Sequence, residues 1–226
     1  MQASRSFVLL TSIACATACA STAQVPVAAA SAVADPALGY TTALTGDVHD
    51  FDEFAGGWAF KNWRLKKRNV GSKEWDEFPA VSCTNVLLES VANVDEVYFP
   101  TKGWSGVTFR TFNIDKKQWS IYWVNSRDGV MYPPVLGGFQ GSEGYFYGED
   151  TDEGKPVKVR FHWTKLSRDK LKWEQAFSYD NKTWEVNWIN VLERLDEATA
   201  CDHGRPRRDS SAATATAPST PTPPPL

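Results

Sequence analysis

The sequence predicts an all-β protein, a single antiparallel up-and-down β-barrel of about eight to ten strands. Between residues 51 and 194 the dominant hydrophobic period is two, as in strands with one buried face. Short turn sequences rich in Asp, Asn, Gly and Lys separate these runs, and no segment shows a helical period of ten residues or more. All ten tryptophans lie in the segment from Trp58 to Trp188. This segment is long enough and apolar enough to form one hydrophobic core.

The alternation is clearest in runs 118–124, 157–164, 171–178 and 184–193, where large apolar residues share one face. Turns are predicted at 115–117, 127–129, 141–144, 152–154, 168–170 and 180–182. A meander of this length has two unpaired edges unless it closes into a barrel. A two-sheet sandwich is the alternative, but no long crossover connection favours it. A short helical turn near Val48 to Phe54 could close one end.

Residues 1–23 have the layout of a secretory signal peptide. Arg5 precedes an apolar run, and small residues precede candidate cleavage sites after Ala20 and Ala23. The run is too short and too diluted with Ser, Thr and Cys for a membrane span. We therefore expect a secreted or periplasmic protein. Cys19 lies in a loose match to a bacterial lipoprotein box, so membrane attachment through lipidation there is the alternative.

Composition divides the rest of the chain. Residues 24–46 are mostly Ala, Val, Ser, Thr and Pro with no period, which indicates a linker. Residues 47–196 form the predicted barrel domain, and residues 197–226, rich in Pro, Ser, Thr and Ala, are predicted to be a disordered tail. Cys83 and Cys201 would remain after removal of the leader. A disulfide between them and two free thiols are both compatible with the sequence.

Charge and motifs exclude several function classes. The net charge is −3, with 24 basic and 27 acidic residues interspersed, so no basic stripe could neutralise a run of phosphates and no nucleic-acid partner is expected. His162 is the only histidine well inside the domain, so the sequence contains no ligand set for zinc or iron. No Gly-x-Ser-x-Gly nucleophile motif is present. We expect no metal or other cofactor.

The candidate ligand site is the aromatic face of the predicted strands. A barrel of this size can hold one small hydrophobic or aromatic molecule in its lumen, with amides orienting it. The residues predicted to line that site are Trp123, Phe161, Trp163, Trp173, Gln175, Trp188 and Asn190. The alternative is that the aromatic side chains fill the lumen completely, as expected for a structural protein of the cell envelope.

A second candidate site is polar and comprises Arg110, Arg160, His162 and Glu174. On the faces assigned by the apolar rule, these side chains and Asn187 point outward and form cross-strand pairs. If they pointed inward, Arg160 could hold an anionic group and Glu174 or His162 could transfer a proton. The barrel would then be an enzyme of the isomerase, lyase or hydrolase type, and the sequence leaves this question open.

Several motifs together resemble an uncharacterised, largely bacterial domain-of-unknown-function family, DUF1579. They are YPPVLGGF (132–139), GYFYGED (144–150), WEQAFS (173–178) and TWEVNW (183–188), with further matches at 51–58, 108–110 and 119–123. The resemblance covers essentially all of residues 51–194 and implies a calycin-like or lipocalin-like barrel. It implies no catalytic residues. The sequence departs from the family at Asn181-Lys182, where Gly-Gly is common, which should affect only that turn.

Overall fold

The structure, a computed structural model, describes residues 34–35 and 39–209. The predicted signal peptide, Cys19 and the tail beyond residue 209 lie outside the described residues. The elements are β1 (Ala34–Asp35), β2 (Tyr40–Thr41), a 3-10 helix (Asp52–Phe54), β3 (Gly56–Leu65), β4 (Trp75–Leu87), β5 (Ala92–Phe99), β6 (Trp104–Asn113), β7 (Gln118–Asn125), β8 (Val135–Gln140), β9 (Glu143–Asp152), β10 (Lys155–Ser167), β11 (Lys170–Ser178), β12 (Glu185–Leu195), α1 (Glu197–Ala200), β13 (Cys201–Asp202) and β14 (Arg205–Pro206). No helix in this part of the chain is both long and apolar enough to cross a membrane.

Strands β3 to β12 form one closed antiparallel barrel of ten strands. Each strand pairs with the next along the chain, and β12 closes the ring by pairing with β3. The prediction of an all-β, up-and-down barrel is therefore confirmed, and the sandwich alternative is wrong. Closure leaves none of the ten strands with an unpaired edge. The pairing of β7 with β8 is short, joining residues 119–121 to 135–137 before one isolated bridge between Val124 and Met131.

The segment before β3 closes one end of the barrel. Phe51, only 1% exposed, and Phe54 reach into the core, where the Phe51 ring centroid lies 4.9 Å from that of Trp119. The Trp58 indole nitrogen donates a hydrogen bond to the Phe54 carbonyl oxygen at 2.8 Å, which holds the turn over the lumen. The short helical turn predicted near residues 48–54 is thus present. We call residues 48–54 the plug; the opposite end of the barrel is the open end.

The residues just before the plug pack against the barrel. Tyr40 is 5% exposed, and its ring meets that of Tyr147 on β9 edge to face at 5.6 Å. The Gln118 side-chain amide donates to the Thr42 carbonyl oxygen at 2.6 Å. A Cβ added to Gly138 would lie 2.5 Å from the Gly46 nitrogen, so the two backbones touch. Although composition indicates a linker up to residue 46, its last residues, from 39 on, pack against the domain.

Ordered structure also continues past residue 196. The Asp196 side chain accepts a hydrogen bond from the Thr199 amide at the start of α1, and Cys201 forms a disulfide with Cys83 on β4, with 5.5 Å between the Cα atoms. A Cβ on Gly57 would lie 2.2 Å from the Ala200 Cβ, so α1 packs directly on β3. The prediction of disorder from residue 197 therefore does not hold for 197–209, because the disulfide and this close packing attach the segment to the barrel.

Candidate functional site

A cavity of about 360 Å³ lies inside the barrel, between the plug and the open end. Alternate residues of each strand point into the lumen, and many of them are aromatic. The aromatic residues that line the cavity are Phe54, Trp58, Phe60, Phe99, Trp104, Trp123, Tyr132, Phe161, Trp163, Trp173, Phe177 and Trp188. The barrel is therefore neither completely filled nor an empty channel.

All seven residues of the predicted ligand site line this cavity. They are Trp123 on β7, Phe161 and Trp163 on β10, Trp173 and Gln175 on β11, and Trp188 and Asn190 on β12. The ring centroids of Trp173 and Phe161 are 4.9 Å apart, and those of Trp173 and Trp188 are 5.8 Å apart, both in edge-to-face geometry. The lumen-facing side was therefore assigned correctly for β10, for β11 and for residues 188–190 of β12; that these residues bind a ligand remains a prediction.

A glycine determines the position of Trp123. A Cβ added to Gly106 on β6 would lie 2.0 Å from the Trp123 ring, so the indole lies directly across the Gly106 backbone. The Trp104 ring meets Trp123 edge to face, with the centroids 6.4 Å apart. Any larger residue at position 106 would displace the Trp123 ring from its place on the barrel wall.

A β-bulge brings a further buried amide, Asn187, against Gln175 of the lumen wall. The register between β11 and β12 shifts immediately after Gln175, which adds one residue, Asn187, to β12. The Gln175 side-chain nitrogen donates to the Asn187 side-chain oxygen at 2.8 Å, and Asn187 is 1% exposed. The prediction that Asn187 points outward to solvent is wrong, because the bulge breaks the alternation there. Asn190 lines the cavity and its buried side-chain oxygen has no hydrogen-bond partner among the described residues.

Arg110 lies inside the lumen, where the apolar rule had placed it outside. It is 3% exposed, and its Nη1 lies 2.7 Å from an Asp95 carboxylate oxygen and donates to the Asn93 side-chain oxygen at 2.8 Å. Its guanidinium lies 5.1 Å from the Phe51 ring centroid of the plug and 5.9 Å from that of Trp163. This buried ion pair supports the closed end of the cavity, and the two charges compensate each other.

The other residues of the predicted polar site lie on the outer face. The two ring nitrogens of His162 hydrogen bond to Glu143 and, at 3.1 Å, to Glu174, while Tyr145 stacks on the ring at 4.2 Å. Burial opposes protonation, but the two carboxylates prevail and raise the pKa of His162. Arg160 lies on the same outer face. No group of three or more His, Cys, Asp and Glu side chains in residues 34–35 and 39–209 is arranged to hold a metal ion.

The open end contains charged residues that the sequence did not single out. Arg64, Arg68 and Arg127 line the cavity there, and Arg68 is paired with Asp152. The Arg64 guanidinium lies 4.7 Å from the Trp188 ring centroid. Burial, followed by the positive charges of Arg68 and Arg127, lowers the pKa of Arg64 to about 10. A basic residue at the lumen-facing end of β3 could have been found by extending the period of two from Trp58.

Comparison with known proteins identifies no family for this chain. No family model matches it, and no curated protein matches its sequence. Among solved structures, a DUF3598-family protein of unknown function from Nostoc punctiforme PCC 73102 is similar over 67% of this chain and 100% of its own length, at 7% identity and a TM-score of 0.21. That similarity is too low to carry an argument about function. Membership of DUF1579 stays a prediction.

Proposed function

We propose that this protein binds a small hydrophobic or aromatic molecule in the lumen of its barrel. The observation that carries the proposal is the cavity of about 360 Å³ walled by aromatic rings. Protein interiors are close-packed and rarely leave voids much larger than a water molecule. An apolar cavity of about 150 Å³ is large enough to bind benzene. The lumen cavity has roughly twice that volume, so it has room for a molecule larger than benzene.

The wall combines apolar area with a few polar groups, as ligand pockets usually do. Gln175 and Asn190 lie among the rings and could orient a polar substituent of the ligand. A filled structural barrel is less well supported, because its aromatic residues would have to occupy this space. Catalysis by the predicted polar set is also less well supported, because Arg160, His162 and Glu174 do not face the lumen.

We infer that the protein works outside the cytoplasm, either free or attached through Cys19. The leader-like residues 1–23 and the disulfide between Cys83 and Cys201 support this, since disulfides form and persist in oxidising compartments. The mass of the exported protein tests it, because cleavage after Ala20 or Ala23 leaves a defined N-terminus, whereas attachment through Cys19 requires that Cys19 is retained and carries the mass of its lipid. A mass that retains residues 1–23 would refute export by this leader.

The binding proposal is tested by releasing and identifying co-purifying small molecules by mass spectrometry, and by calorimetric titration of the stripped protein with them. Thr108 lines the lumen, whereas its neighbour Phe109 on β6 points outward. Thr108→Trp should abolish binding by filling the cavity, and Phe109→Trp should retain it. If no compound co-purifies and a panel of aromatic and aliphatic compounds gives no binding heat, the lumen does not serve as a ligand site.

A further inference from the structure

We propose that the ligand carries a carboxylate, that Arg64 binds this carboxylate at the open end of the lumen, and that the apolar body of the ligand lies among the aromatic rings. The inference rests on the proposed lumen binding and specifies the chemical class of the ligand. It is based on the difference between Arg64 and the other arginines of the cavity wall.

Arg64 is held in place but has no partner for its charge. Its side chain is half-buried, and the guanidinium lies over the Trp188 ring, 4.7 Å from the centroid. No described residue places a carboxylate within 4.0 Å of it or accepts a hydrogen bond from its side chain. In the same wall, Arg68 is paired with Asp152 and Arg110 with Asp95. A guanidinium removed from water favours a bound counter-charge.

The two carboxylates that act electrostatically on Arg64, those of Asp152 and Asp76, are paired with other residues. Asp152 accepts hydrogen bonds from Arg68 and, at 2.8 Å, from the Tyr179 hydroxyl. Asp76 is paired with Lys102, with 2.6 Å between the Lys102 nitrogen and the carboxylate oxygen. Both carboxylates act on the charge of Arg64 from a distance, but neither forms an ion pair with it.

The remaining carboxylates of the wall belong to β9 and its turn, across the barrel from β3. Glu149 is paired with Lys158, and Asp150 accepts a hydrogen bond from the Thr151 amide. Glu153 is exposed at the hairpin tip. We call the part of the rim around Arg64 and Arg127 the basic side, because no described residue places a carboxylate within 4.0 Å of either guanidinium, and an anion would be attracted there.

The geometry of the basic side suits a carboxylate. A guanidinium presents two parallel N–H donors that match the two oxygens of a carboxylate, and its planar face packs on an aromatic ring. Arg127 adds a second such group, with its guanidinium 4.5 Å from the Trp104 ring centroid. Stacking on Trp188 and Trp104 keeps both guanidinium groups at the rim of the aromatic cavity, where one ligand can contact the charge and the rings.

The test uses pairs of probes that differ only in charge: 2-naphthoate with 2-naphthamide, and decanoate with decanamide. They are titrated calorimetrically into the full chain as recovered after export, at 0.15 M salt, for the wild type and for Arg64→Met. The matched control is Arg160→Met, because the Arg160 guanidinium also lies over a tryptophan, Trp184 at 5.0 Å, but on the outer face. Arg64→Lys keeps the charge and guards against a purely steric effect.

The wild type is expected to bind at least one carboxylate about tenfold or more tightly than its amide, as a charge-assisted hydrogen-bonded pair should. Arg64→Met should remove that preference and leave amide binding in place, whereas Arg160→Met should keep it and Arg64→Lys should keep part of it. Equal binding of carboxylate and amide by the wild type, or a preference that survives in Arg64→Met, would overturn this inference alone. Absence of binding by all four probes and by the wider panel would overturn the proposed lumen binding as well.

Discussion

The disulfide between Cys83 and Cys201 allows a quantitative prediction of stability. It joins β4 to the segment that follows the barrel, across a sequence separation of 118 residues. We consider the double variant Cys83→Ala/Cys201→Ala, which removes the covalent link and leaves small apolar side chains at both positions. Cys83 and Cys201 pack with Val81 and Ala200 in a cluster separate from the lumen core.

The expected loss follows from the size of the closed loop. Cross-linking two residues this far apart removes about 5 kcal/mol of chain entropy from the unfolded state, and measured values are commonly 2–5 kcal/mol. The free energy of unfolding should therefore fall by about 2–5 kcal/mol in the double variant. For a domain of this size the melting temperature should fall by on the order of 10 °C.

The assay is equilibrium urea denaturation of the oxidised wild type and the double variant, followed by tryptophan fluorescence. The midpoint should fall and the slope should rise somewhat, because without the cross-link the unfolded chain is less compact and exposes more surface. Wild type reduced with dithiothreitol should resemble the variant, and ligand affinity should be unchanged because this cluster does not line the cavity. A loss below about 1 kcal/mol, or free thiols at Cys83 and Cys201 in the untreated protein, would refute the reasoning.

Two further predictions concern opposite sides of the barrel wall. Because the folded-state pKa of His162 is raised above 6.5, the stabilising contribution of His162 is complete below that value and disappears as pH rises through the folded pKa. The difference in unfolding free energy between wild type and His162→Gln should therefore be largest near about pH 5.5 and smaller at about pH 8.5. A difference that stays constant with pH would contradict this. Gly106→Ala places a Cβ 2.0 Å from the Trp123 ring, so it should cost about 1–3 kcal/mol of stability and weaken ligand binding measured by calorimetry. Gly57→Ala, whose Cβ would lie 2.2 Å from that of Ala200 outside the lumen, should lower stability and leave ligand affinity unchanged. Equal effects of the two variants on affinity would contradict the assigned faces.

The parts of the site that could be predicted from sequence are those where the two faces of a strand differ strongly. In residues 157–164, the aromatic and aliphatic side chains alternate with Lys, Arg, His and Thr, so the buried face follows from the cost of burying charge. The same holds for residues 171–178. The aromatic lining of β10 and β11 and the outer position of His162 follow from this local pattern.

The pattern fails where both faces are similar. On β6, Trp104 and Phe112 lie on one face and Val107 and Phe109 on the other, so hydrophobicity does not show which face is inside. Arg110 lies on the inner face because Asp95, on the neighbouring strand, neutralises its charge. Asn187 was misplaced for a different reason, since a bulge changes the alternation of β12 without a sequence signal strong enough to predict it.

The sequence by itself predicted a meander of about eight to ten strands with an aromatic face toward the lumen, because period-two alternation and turn residues act over a few neighbouring positions. Only the tertiary structure decided that Cys83 pairs with Cys201, that the turn at residues 48–54 does cover one end, and that among the described residues Arg68 and Arg110 have a carboxylate partner while Arg64 has none. Those properties depend on distances between residues that are far apart in the chain. They are set by closure of the barrel, which fixes the register and facing of all its strands together.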